Sequence, residues 1–280
     1  VRRGLLAALL AVGLGAGARA EAPRSVVSLN LCADQLLLAL GEPGRISGIS
    51  PYARDAARGG AAAAAAKIPL LSGTAEEVLM IAPDLVVAGR YDRRATQEMI
   101  SRRGIRLETF DIPRSLADAR SQIGRMGGLL GAEDKADRLI GEIDAALARL
   151  RHAAAGGLRV LPYARRGWVE GGGTLLGDLL RAGGLANAGD AAGLAGGGFI
   201  GLEDVIRLKP DALIVASSGG GAEDQGSALL LHPAIQALFP RRRLVLLPEA
   251  LTICGGPALI AAMDGLAAQL SDMKSLPPRD

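Results

Sequence analysis

The chain has 280 residues, a formal net charge of +3 and only 2% aromatic residues. At 49% apolar it can bury real cores, in one large domain or in two lobes. No basic tract interleaved with aromatics occurs, which sets aside a nucleic-acid partner.

In chain order the first element is a leader. Arg2 and Arg3 precede an apolar run from Gly4 to Gly17, and Ala18-Arg19-Ala20 reads as a cleavage site. These are the three parts of a secretory signal peptide. The apolar run is shorter than the roughly 20 residues of a spanning helix. The expectation is cleavage after Ala20 and a periplasmic product starting at Glu21. No cysteine follows the cut, so a lipid anchor is not expected. Loss of Arg2, Arg3 and Arg19 would cancel the net charge, so the basic whole-chain balance points to no acidic partner.

From Arg24 the pattern is strand, turn, helix, repeated. "RSVVSLN" is β-branched and apolar, and "ADQLLLALG" has helical spacing with Gly41 as its stop. "GRISGIS", "DLVVAG" and "IRLETFDI" read as strands; "AEEVLMIA", "RRATQEMISRRG" and "SLADARSQIGRMGGLLG" read as helices. "GGAAAAAAK" reads as helical filler. Short apolar strands alternating with helices predict a parallel sheet covered on both faces.

Residues 133–156 break the rhythm. They predict one long amphipathic helix, acidic at its start and basic near its end with Arg149, Arg151 and His152, which suits the helix dipole. The alternation then resumes through "LRVLPYA", "TLLGDLLRAGG", "LEDVIRLK", "DALIVAS", "HPAIQALF", "RRLVLLPE" and "PALIAAMDGLAAQL". The predicted fold class is α/β: two Rossmann-like lobes, residues 21–132 and 157–280, joined by the helix 133–156, with a ligand cleft between them.

Catalytic constellations are missing from the pattern. The two histidines, His152 and His232, stand beside no plausible nucleophile, and "GGGTLLGD" lacks the Lys-Ser/Thr of a phosphate loop. Two histidines and two cysteines scattered this way group into no metal site. Neither an enzyme nor a resident metal or cofactor is expected. Cys32 and Cys254 are the only cysteines; a disulfide between them and two unpaired thiols fit the sequence equally. An exported thiol enzyme using them is the reading from another class, because Cys32 stands just before a helix.

In open α/β sheets, ligands lie beyond the carboxyl ends of the strands. The residues following the strands then give the candidate cleft wall: Asn30, Tyr52, Arg54, Arg90 and Tyr91 in the first lobe; Tyr163, Arg165, Trp168, Ser217 and Glu249 in the second. Arg166, Asp111 and Ile253 fall in the same loops. Every tyrosine and the one tryptophan of the chain lie there, with arginines beside them. Arginine forks and aromatic faces suit a bulky, partly apolar ligand with oxygen-rich or anionic groups.

One string occurs twice. "TAEEVLMIAPDLVVA" and "GLEDVIRLKPDALIV" share an acid, a short apolar helix, Pro-Asp and an apolar strand, with Glu76 matching Glu203 and Pro83 matching Pro210. Together with "RSVVSLNLCADQLLLALGEPGRISGIS" and "TICGGPA" these strings resemble the periplasmic substrate-binding proteins of ABC importers for cobalamin and iron siderophores. The resemblance runs over nearly the whole mature chain. It implies two lobes on a rigid helix, a monomer, and a permease dimer with its ATPase as partner. It further implies that Glu76 and Glu203 dock to permease arginines. The cargo expected is a metal chelate, a ferric siderophore first, with cobalamin or haem as alternatives; for haem, Tyr52, Tyr91 or Tyr163 would ligate iron.

Overall fold

The computed structural model describes residues 21–59, 61–154, 157–215 and 232–273. The leader and Ser217 lie outside the described residues.

The first lobe runs β1 (Val26–Ser28), α1 (Leu31–Leu40), β2 (Ile46–Gly48), α2 (Ala62–Ala65), α3 (Ala75–Ile81), β3 (Leu85–Gly89), α4 (Arg94–Arg102), β4 (Arg106–Phe110) and α5 (Leu116–Leu130). Its strands form one parallel sheet in the order β2-β1-β3-β4. β3 is buried along its whole length, as its unbroken run of apolar residues requires.

α6 (Glu133–Ala153) carries the chain across. The second lobe then follows as β5 (Arg159–Tyr163), β6 (Trp168–Val169), α7 (Leu175–Ala182), β7 (Ala186–Asn187), β8 (Gly198–Phe199), α8 (Leu202–Leu208), β9 (Ala212–Val215), α9 (Pro233–Leu238), β10 (Leu244–Leu246) and α10 (Ala258–Met273). Its sheet runs β10-β9-β5-β6-β8, with β7 beside β5. β5, β7, β9 and β10 are parallel; the β5–β6 and β6–β8 pairs are antiparallel, which the all-parallel expectation misses. Two-residue strands show no periodicity for a sequence to reveal.

The two helices of the spine pack together. α6 buries Leu139, Ile143, Ala146, Leu147 and Leu150, and α10 buries Leu259, Ala262, Met263, Leu266 and Leu270, each set at helical spacing. Arg149 adds a two-pronged pair to Asp264 at 2.8 and 3.0 Å. These side chains belong to one apolar cluster that also takes in Val26 and Leu37 of the first lobe and Val160 and Ile214 of the second.

The repeated string has a structural counterpart. α3 and α8 each end on a left-handed residue, Ala82 at φ 47° and Lys209 at φ 45°, just before the proline. The aspartate after the proline turns back to a neighbouring strand. Asp84 donates its N–H to the Ser25 carbonyl at 2.9 Å, and its carboxylate accepts from Arg24 N at 2.7 Å and Ser25 N at 3.1 Å. Asp211 donates to the Arg159 carbonyl at 2.7 Å and accepts from Arg159 N at 2.8 Å. Pro-Asp thus closes the amino ends of β1 and β3 in one lobe and of β5 and β9 in the other.

Candidate functional site

Parallel strands bring their carboxyl ends to one edge of each sheet, and the loops there carry the candidate cleft residues. In the first lobe Asn30 caps α1, accepting from Cys32 N at 2.9 Å and Ala33 N at 3.4 Å. Its amide donates to Asp92 at 3.2 Å, and Asp92 accepts from Gly89 N at 2.6 Å. Asn30 therefore ties the end of β1 to the end of β3.

Asp34, in the first turn of α1, is fully buried. It accepts from Ser50 N at 3.2 Å and from Ser50 Oγ. Ser50 Oγ in turn accepts from Tyr52 N at 3.3 Å, so the buried carboxylate positions the Tyr52 loop. Burial is the main force on its pKa, raising it to about 6; hydrogen bonds from Ser28 and Ser50 oppose the rise, and the charge of Asp92 adds to it.

A carboxyl group whose pKa is higher folded than unfolded favours the folded state when protonated. That contribution is complete below about pH 3.8 and is lost as pH rises through about 6, leaving a cost of about 3 kcal/mol at neutral pH. Urea unfolding across this window is therefore expected to show stability falling with pH in the wild type relative to Asp34→Asn. Parallel curves for the two proteins would refute the assignment.

Tyr52 is 47% exposed and Tyr91 68% exposed. Arg58 stacks on the Tyr52 ring at 5.0 Å. Arg90 pairs with Asp111 at 3.3 Å. Arg54 points elsewhere: its guanidinium donates to the carbonyls of Ala65, Ala66 and Ile68 at 3.1, 2.9 and 2.7 Å, closing the end of the alanine helix α2. Tyr91, Asp111, Ile112 and Gln122 line a recess of about 280 Å³.

In the second lobe Tyr163 is buried, 1% exposed, and its hydroxyl has no hydrogen-bond partner among the described residues. Desolvation raises its pKa, so it stays a neutral phenol. Trp168 donates from Nε1 to Glu170 at 2.9 Å and meets the Phe199 ring edge-on at 5.0 Å. Arg165 and Arg166 are exposed in the turn between β5 and β6. Glu249 is exposed on a 3-10 turn, Glu249–Leu251, that packs on the first-lobe turn Ala56–Arg58. Tyr163, Trp168, Glu170, Glu249 and Thr252 line a smaller recess of about 110 Å³.

Cys32 and Cys254 are joined in a disulfide, with Cα atoms 5.2 Å apart. This removes the free thiols that a thiol enzyme would need. The segment around Cys254 lies against the first lobe. A Cβ on Gly255 would come within 2.8 Å of the Ala119 Cβ, so only glycine fits that approach.

Glu76 and Glu203 are the exposed second residues of α3 and α8. Each helix delivers the chain to the amino end of a strand. Each first turn therefore lies toward the carboxyl edge, the side that carries the candidate cleft loops.

Sequence reasoning passed over Phe199 and Ile112, exposed at 67% and 61%. Phe199 follows a glycine run that reads as a flexible loop, and only its pairing in β8 fixes it beside Trp168. Among the described residues no group of three His, Cys, Asp or Glu side chains is arranged to hold a metal, and no helix is long and apolar enough to cross a membrane.

A family model described as "Periplasmic binding protein" matches residues 26–239. No curated protein matches the chain. Among solved structures it is similar to the periplasmic haem-binding protein RhuT of Roseiflexus sp. RS-1 in apo form. The identity is 25% and the TM-score 0.70, covering 89% of this chain and 98% of the other. A periplasmic haem-binding protein from Pseudomonas aeruginosa is 22% identical, with TM-score 0.69 and coverages of 92% and 95%. A possible iron-binding (periplasmic solute-binding) protein from Staphylococcus epidermidis is 16% identical, with TM-score 0.69 and coverages of 89% and 99%.

Proposed function

The chain belongs to the periplasmic binding protein family, and on that premise we propose that it captures haem and delivers it to the permease of an ABC importer. Its similarity to haem-binding proteins of this type moves haem ahead of the ferric siderophore expected from sequence.

The observation that carries the reading is the placement of Tyr52 and Tyr91. Both phenols are exposed beyond strand ends of one lobe, in a chain with three tyrosines in all. A phenolate is an iron ligand, and an aromatic ring covers apolar macrocycle at small entropic cost. Arg90, paired with Asp111, stands next to Tyr91 in the same loop. Trp168 and Phe199 add apolar ring area from the second lobe. Asn30, Arg165 and Glu249 complete the proposed wall. Arg54 contributes by holding the end of α2 in place.

We further propose that the protein is exported by its leader and that Glu76 and Glu203 dock it on the permease dimer. Charge complementarity of this kind raises encounter rate and fixes orientation.

The cargo is tested by titrating residues 21–280 with ferric haem, cobalamin and ferric siderophores, following Trp168 fluorescence and the haem absorbance. Haem is expected to bind with Kd below about 1 μM. Phenylalanine at position 52 or 91 is expected to change the spectrum of the complex. Tight binding of a corrinoid or a siderophore with no haem response would overturn haem as the cargo and leave the transport class standing.

A further inference from the structure

We propose that Arg166 is an anion-binding residue of the cleft, held in place by a backbone conformation that arginine does not favour. The inference rests on the cleft being the cargo site. It does not rest on the cargo being haem.

The chain turns from β5 into β6 through Ala164–Gly167, closed by the Gly167 N–H donating to the Ala164 carbonyl at 3.2 Å. Arg166 is the third residue of this turn, at φ 59° and ψ 18°. A turn with positive φ at its third residue is normally built with glycine or asparagine there, because a Cβ crowds the backbone. The turn cannot shift along the chain. Gly167 follows at φ 80°, and a Cβ on it would meet the Ile200 carbonyl oxygen at 2.4 Å.

Three non-glycine residues among those described have positive φ. Ala82 and Lys209 end helices, where a left-handed cap is ordinary. Arg166 ends none. It stands at the carboxyl end of β5, beside Trp168 and its contact with Phe199. Strained residues of this kind cluster where a side chain is used.

The guanidinium is exposed and, among the described residues, has no hydrogen-bond or ion-pair partner. Arg90 and Arg149, by contrast, are engaged, by Asp111 and by Asp264. A guanidinium offers a planar fork of N–H donors that matches a carboxylate in two parallel hydrogen bonds. The ligand group it fits is therefore a carboxylate on the cargo, of the kind carried by haem and by ferric citrate.

Arg166→Gly separates the side chain from the fold. Glycine accepts positive φ, so the variant is expected to melt at or up to about 2 °C above the wild type. Its affinity for ferric haem or ferric citrate, whichever the wild type binds, is expected to fall roughly tenfold or more, and affinity for haem dimethyl ester to stay within about twofold. Arg166→Asn, which also tolerates the left-handed conformation, is expected to behave alike.

If the wild type binds ferric citrate and not haem, the haem reading fails while a tenfold loss in the variant still supports Arg166. Unchanged affinity in both variants, or a wild type that binds only the uncharged ester and cyanocobalamin, overturns the proposal.

Discussion

Replacing both Cys32 and Cys254 with serine is expected to lower the melting temperature by about 10 °C. The bond closes a loop with a sequence separation of 222 residues. A cross-link over so long a loop removes unfolded-state entropy worth about 5 kcal/mol in the chain-entropy account. For a chain of this size each kcal/mol moves the midpoint by about 2–4 °C. The bond also joins distant parts of the molecule. Cys32 lies in the first turn of α1, and Cys254 lies between β10 of the second lobe and α10. Calorimetry with and without reductant checks the claim: reductant should lower the wild-type midpoint and leave the double variant unchanged. A shift of under about 2 °C would show that packing around Gly255 holds the segment without the bond.

Reversing both glutamates, Glu76→Lys with Glu203→Lys, is expected to cut cargo uptake by about 30-fold or more while the affinity of the purified protein changes less than about twofold. Both side chains are exposed in first turns, so neither supports a core. Each sits near a helix amino terminus, where a lysine costs only about 0.3–1 kcal/mol, so the fold survives. Either single reversal should give an intermediate loss, because two matched carboxylates set orientation on a dimeric partner. Transport assays in cells, read beside a binding titration, make the check. Uptake that survives the double reversal would remove docking from the account.

Much of the architecture was written in local patterns. The alternation from Arg24 onward gives β1 to β4, and the acidic-to-basic run gives α6 at 133–153 within the expected 133–156. The repeat between Thr74 and Val215 proved to be structural grammar as well, since Asp84 and Asp211 make corresponding backbone bonds. What escaped depends on contacts between distant residues. Nothing near Tyr163 in sequence says that Ile235 and Phe239 will join it in one buried cluster. Arg54 reads as a cleft cation until its three carbonyl partners are seen. Asn30 carried its own clue, because asparagine just before "LCADQLLLAL" is a helix cap by pattern. The pairing of the cysteines had no local signal at all.

The apolar cluster that runs from α1 through α6 to α10 sets a limit on motion. Halves that share an interior cannot swing apart as independent bodies without wetting it. Loaded and empty receptors should then have nearly the same outline, and a membrane partner would have to sense occupancy at the rim of the gap, through the guest itself or the loops that touch it.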